Sequence, residues 1–198
     1  MLKKIAVTGG LACGKSSVCR FFQDLGAYVV SADDIVHQLL SKQTLVGRQV
    51  IELLGDDIIV NGQIDRAIIA KKVFSNPLLL RSLEKIVHPS VLDEIEKSYQ
   101  QVKIQGKTQL FIAEIPLLFE IGAESFFDAV ITVAADLQSC IKRFTAVTGL
   151  SAIEYNERMA LQLPTEEKAR KADYIIENIG SIKDMQNEVT KLYHKLTR

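Results

Sequence analysis

The chain has 198 residues, 47% of them apolar and 24% charged, with twenty-four basic side chains set against twenty-four acidic ones. That length suits one α/β domain with a helical annex, and the composition excludes disorder, collagen-like repeats and a disulfide scaffold. Zero net charge leaves no overall positive field for a nucleic-acid backbone, so any anion binding must be local.

In chain order, residues 5–8 read as a buried parallel strand, and 15–24 carry Val18, Phe21 and Phe22 at helical spacing before Gly26. Between them, Gly9-Gly10-Leu11-Ala12-Cys13-Gly14-Lys15-Ser16 satisfies GxxxxGKS in its required context of strand, glycine loop and helix. Glycines let the backbone curl so that its N–H groups point at a nucleotide's β-phosphate, and the helix adds its positive dipole end. Lys15 is placed to reach the β- and γ-phosphates, Ser16 to offer a hydroxyl to Mg²⁺, and Ser17 to lie near the α-phosphate. Gly10, Leu11, Ala12, Cys13 and Gly14 complete the ATP cradle. A helix N-terminus also lowers a thiol's pKa, which makes Cys13 a candidate for oxidation that blocks ATP.

Residues 28–31 form a second short strand. Asp33 follows at its carboxyl end, where ligands of open α/β sheets collect and where a carboxylate can deprotonate an acceptor hydroxyl. The competing reading of Asp33 is a helix cap. Helical segments are predicted at 35–40, 46–54, 66–74, 77–87 and 90–102, with a hairpin of 58–60 and 63–64 about Asn61-Gly62. A parallel connection needs only about a dozen residues, so this long crossover must contain a helical subdomain. His88-Pro89 reads as a helix-terminating turn.

The third sheet strand is 110–113. Glu114 follows it where a carboxylate could reach metal-bound water. A fourth strand, 129–133, precedes a helix at 136–148. A capping box at Ser151 and Glu154 starts the next helix, another opens at Thr165, a fifth strand is 174–177, and a helix closes the chain at 181–196. Arg143, Arg158, Lys168, Arg170 and Lys171 supply cations to the stretch between strands four and five. The three cysteines show no CxxC spacing, which fits a reducing, cytoplasmic setting. No segment approaches the ~20 apolar residues of a membrane span.

These motifs resemble the dephospho-coenzyme A kinase family over nearly the whole chain: the glycine loop, Ser31-Ala32-Asp33, Ile64-Asp65-Arg66, Val73-Phe74, His88-Pro89, Pro116-Leu117-Leu118-Phe119-Glu120, Arg158, Gln162 and Lys168 in the lid, and Ala172-Asp173 with Asn178-Ile179-Gly180. The resemblance implies a three-layer α/β P-loop kinase fold with a five-stranded parallel sheet. Its parts would be a core at about 1–34, 108–140 and 172–198, a helical substrate subdomain at about 35–107 and a lid at about 141–171. It further implies ATP-dependent phosphorylation of the ribose 3′-hydroxyl of dephospho-coenzyme A, with Mg²⁺ as cofactor. Asp33 would be the catalytic base, assisted by Lys15 and the lid residue Arg143. Arg66, His88, Pro116, Leu117 and Leu118 would embrace the acceptor, with Asn178 and Gly180 near adenine.

Ala12, Cys13, Ser31 and Val147 depart from the family's usual residues. The expected partners are ATP and dephospho-coenzyme A, with no nucleic acid and no membrane, in a monomer or weak homo-oligomer. Two alternatives remain: a P-loop kinase of another small acceptor such as a nucleoside monophosphate, and a nucleotide-binding regulator that transfers nothing.

Overall fold

The structure, a computed structural model, describes residues 1–74 and 76–198, with the Phe74 side chain outside the description. The expected Val73-Phe74 pair is therefore described only at Val73, which is buried. Two compact units divide the chain, one formed by 1–31 and 99–198 and the other by 32–98.

In the first unit, five parallel strands follow the order β2-β5-β1-β6-β7. They are β1 (Lys3–Gly9), β2 (Tyr28–Ser31), β5 (Leu110–Glu114), β6 (Ala129–Ala134) and β7 (Tyr174–Glu177). Strand β1 lies centrally, with Ile5, Ala6 and Val7 wholly buried, because an almost uninterrupted apolar run is stable only where both faces of a sheet are covered. Alternation sorts the residues into two layers. Ile5, Val7, Leu110, Ile112, Ile131 and Val133 join one core with Val18 and Phe22 of α1 (Lys15–Asp24) and Met185 and Val189 of α9 (Ile182–Leu196). Phe111, on the opposite face, stacks on Tyr28 and meets the Tyr99 ring edge-on, with centroids 5.8 and 5.5 Å away.

Three further helices belong to this unit: α6 (Leu137–Thr148), α7 (Ala152–Met159) and α8 (Thr165–Lys171). The expected capping box of α7 forms at Ser151 and Glu154. The strand order reverses about β1, whose neighbours are β5 on one side and β6 on the other, so its carboxyl end is the sheet's switch point.

The second unit holds α2 (Ala32–Leu39), α3 (Leu45–Leu54), the antiparallel hairpin β3 (Ile59–Val60) and β4 (Gln63–Ile64), α4 (Arg66–Phe74) and most of α5 (Pro77–Gln105). Asn61 and Gly62, at φ of 49° and 80°, make the hairpin turn with the left-handed backbone that such two-residue loops require. Its core includes Val46, Val50, Ile58, Ile69 and Ile95.

Two expectations change here. Residues 77–87 and 90–102 belong to one 29-residue helix with Pro89 inside it. Pro89 is exposed, so the helix bond that its missing N–H forfeits lies at the water-facing side, and the Ser90 hydroxyl donates back to Ile86 O at 3.1 Å. Helix α2 also begins earlier than its apolar pattern suggests, at Ala32, which puts Asp33 inside the first turn and not at a cap. Among the described residues no helix is long and apolar enough to cross a membrane.

Candidate active site

The glycine loop leaves the carboxyl end of β1 and closes on the first turn of α1. Its shape dictates its glycines. Gly9 has φ 145°, and a Cβ there would drive into the Val133 carbonyl, while Gly14 has φ 104° with the Asn178 amide where a Cβ would stand. Gly10 lies against Thr165 Oγ1, 2.8 Å from the place a Cβ would take. Ala12 adopts φ 57°, a left-handed conformation that an L side chain enters at a cost of about 1–2 kcal/mol. Alanine thus occupies a position whose backbone favours glycine.

Lys15 opens α1 and is only 8% exposed, and its ammonium donates to the carbonyls of Gly9 at 3.3 Å and Gly10 at 2.8 Å. The α1 first turn carries no acidic side chain, so the positive end of the helix is uncompensated locally. Beside it, the Ser16 hydroxyl donates to Glu114 Oε1 at 2.9 Å. Strand pairing sets Glu114 next to both Val7 of β1 and Ser31 of β2. A serine hydroxyl and a carboxylate in contact at the mouth of a phosphate loop are hard oxygen donors of the kind Mg²⁺ prefers. Among the described residues no trio of His, Cys, Asp or Glu gathers elsewhere to hold a metal.

Asn178 ties the far end of β7 to the loop. Its side-chain amide donates to Cys13 O at 2.9 Å and its own N–H to Ala134 O at 2.7 Å, with the residue 8% exposed. From the other side, the Tyr155 hydroxyl donates to Leu11 O at 3.4 Å and the Leu11 N–H to Met159 Sδ at 3.4 Å. Gly180 lies just before Ser181, the cap of α9. Arg143, on α6, has a buried Nη1 without a hydrogen-bond partner among the described residues, a donor suited to an incoming anion. Val147, one turn on, is 85% exposed.

Cys13 contradicts the expectation of a reactive thiol. It is 1% exposed, and burial raises its pKa more than Lys15 lowers it. Cys19 is raised further, by burial and by contact with the Glu114 carboxylate. At Cys13 desolvation thus outweighs the helix terminus and the Lys15 ammonium.

After β5, Leu118 and Phe119 turn into the core at 0% and 6% exposure, while Pro116 and Leu117 stay half-buried. Leu118 is thus a core side chain and not an exposed contact. Glu120 pairs with Lys168 at 2.8 Å. The sequence places Lys168 among the cations of the lid stretch without marking it as buried; its side chain is wholly buried, and burial lowers its pKa while Glu120 opposes the shift. Sequence reasoning also missed Thr8, Tyr155, Met159 and Thr165. Their only signal is spatial, since each reaches the site from a separate element.

In the second unit, Asp33 is exposed in the first turn of α2. Arg66 follows Asp65, whose carboxylate accepts from Ala67 N at 2.8 Å and Ile68 N at 3.2 Å and so caps α4. Arg66 also lines a polar cleft of about 250 Å³ with His37, Lys42 and Gln63. His88 is half-buried within α5, and burial lowers its pKa against the pull of Glu84.

The dephospho-CoA kinase family model matches residues 3–184. The chain belongs to the dephospho-CoA kinase family. A curated dephospho-CoA kinase from Protochlamydia amoebophila is 48% identical over 98% of this chain and 97% of its own. One from Chlamydia pneumoniae is 44% identical over 98% and 96%. The solved structure of dephospho-CoA kinase from Campylobacter jejuni superposes with a TM-score of 0.74 at 31% identity, covering all of this chain and 98% of that one. The fold is thus shared over the whole chain with a dephospho-CoA kinase of known structure.

Proposed function

We propose that the chain transfers the γ-phosphoryl group of ATP to the ribose 3′-hydroxyl of dephospho-coenzyme A, giving coenzyme A and ADP in the last step of coenzyme A synthesis. The observation that carries this reading is the concentration of Lys15, the α1 N-terminus and the Ser16–Glu114 pair at the β1 switch point, in a chain of this family. The γ-phosphorus would form a bond to the acceptor oxygen as its bond to the β–γ bridging oxygen breaks, and the hydroxyl proton would pass to Asp33. The protein's share of such a transfer is positioning and charge neutralisation.

The loop amides and Lys15 would hold the β- and γ-phosphates, Lys15 exchanging its loop carbonyls for phosphate oxygens. Arg143, in a lid at about 141–171, would meet the moving phosphoryl group with its unpartnered nitrogen. Mg²⁺ bound with ATP would neutralise phosphate charge, held by Ser16 and, through water, by Glu114. Asn178 would serve by fixing the Cys13 carbonyl and hence the loop's curl, an alternative to its expected place beside adenine. Arg66, His88, Pro116 and Leu117 would serve the acceptor. Three buried, unbridged cysteines support a reducing, cytoplasmic setting.

A coupled assay of ADP release with dephospho-coenzyme A, with AMP and with no acceptor tests the reading. Turnover dependent on the first alone is expected. Equal turnover with AMP, or none with any acceptor, overturns it.

A further inference from the structure

Lys168 is the most deeply buried charge in the first unit. Its side chain has no exposure, and its ammonium meets three acceptors: Pro116 O at 2.8 Å, Glu120 Oε1 at 2.8 Å and Gln162 Oε1 at 3.5 Å. Three donors meeting three acceptors is the full complement of a lysine head group. Each acceptor leads to a different part of the site. The Pro116 carbonyl also accepts from Thr8 Oγ1 at 3.2 Å, and Thr8 is the buried residue directly before Gly9 of the loop. Glu120 Oε1 also accepts from Leu163 N at 2.9 Å, between α7 and α8. The backbone carbonyl of Lys168 itself takes the Thr132 hydroxyl of β6 at 3.1 Å.

The stretch these bonds fix is the one that walls the loop, since Tyr155, Met159 and Thr165 all touch Gly10 or Leu11. A buried ion pair is weak support for stability, because desolvating two charges offsets most of their attraction and apolar replacements often fold as well. Glu120 Oε2, buried and without a partner among the described residues, shows that this pair is not optimised for stability.

We propose that Lys168 is a positioning residue for phosphoryl transfer: its ammonium registers the α7–α8 segment and the loop after β5 against the Thr8 end of β1, so that the groups walling the glycine loop stay aligned on the transferring phosphoryl group. Glu120 is the counter-charge that makes the burial possible. The effect falls on the geometry of the transferring group, where a displacement of about 1 Å costs roughly 10²-fold in rate.

Lys168→Met alone strands the Glu120 carboxylate and is expected to melt early. The decisive variant is the double change Lys168→Met with Glu120→Gln, which removes both charges, assayed beside Lys168→Arg, which keeps the charge and donors. The expected result is a double variant that melts near the parent, with kcat for acceptor-dependent ADP release down about 10²-fold, KM for ATP little changed, and most of kcat recovered in Lys168→Arg. A folded double variant with parental kcat overturns the proposal. So does one that fails to fold, because the pair is then a scaffold element, and so does a loss seen wholly in KM. The proposal rests on the phosphotransfer reading, and the parent enzyme in the same assay separates the two: an inactive parent removes that reading, whereas an active parent with an equally active double variant removes only the role of Lys168.

Discussion

Replacing Asn178 distinguishes two jobs for one amide. In the structure its Nδ2 holds Cys13 O at 2.9 Å in a site 8% exposed, so Asn178→Ala leaves a carbonyl of the phosphate loop without its partner. Losing a buried hydrogen bond in this way costs about 1–3 kcal/mol. At about 2–4 °C per kcal/mol for a protein of this size, the melting temperature should fall by roughly 2–12 °C. Asn178→Asp, nearly the same shape, sets a carboxylate oxygen against the Cys13 carbonyl oxygen and should be worse than alanine.

Because the damage is to the loop, affinity for ATP, GTP and inorganic tripolyphosphate should weaken by similar factors in calorimetric titrations with Mg²⁺ present. An Asn178→Ala protein that melts with the parent, binds tripolyphosphate normally and loses only its preference for ATP over GTP would refute the reasoning. The amide would then be reading the base.

Asp33→Asn should leave nucleotide affinity intact and lower turnover by at least the ~10²-fold that general-base help supplies, and parental turnover would take Asp33 out of the mechanism. Ala12→Gly should be neutral or stabilising by up to about 1 kcal/mol in chemical denaturation, since relief of the φ 57° strain offsets the added freedom of the unfolded chain. A loss of about 0.5–1 kcal/mol, the usual result of Ala→Gly inside a regular helix, would contradict that backbone assignment. Burial holds the His88 pKa below its ordinary 6.5, so the unfolded chain takes up that proton first as pH falls. The stability attached to the neutral ring is complete above about pH 6.5 and drains away on acidification, by at most about 1.4 kcal/mol per pH unit. His88→Gln should flatten denaturation midpoints measured across that range, and an unchanged slope would refute the assignment.

The start of the first unit was legible because its signals are local. Strand, glycine loop and helix lie within two dozen residues, and the hairpin turn at Asn61-Gly62 carries its own conformational requirement. The single helix through Pro89 was hidden, since a proline interrupts the sequence pattern but is tolerated where its missing bond faces water and a serine hydroxyl bonds back to the turn. Lys168 was hidden for another reason: it sits in a seven-residue helix among Glu166, Glu167, Arg170 and Lys171, too short and too charged for periodicity to reveal a buried position. Its burial is decided by Pro116 and Glu120, about fifty residues away in sequence. Cys13 looked reactive from its helix terminus, but the core closing over it reversed the sign of the shift.

The central claim is that one phosphoryl group leaves ATP and arrives intact on a ribose hydroxyl. ATP labelled with ¹⁸O in its γ-phosphoryl group, incubated with dephospho-coenzyme A and analysed by mass spectrometry with product fragmentation, tests it directly. The account predicts the labelled group on the 3′-oxygen of coenzyme A and unlabelled ADP in equal amount. Label appearing in inorganic phosphate, or on any other oxygen of the acceptor, would contradict it.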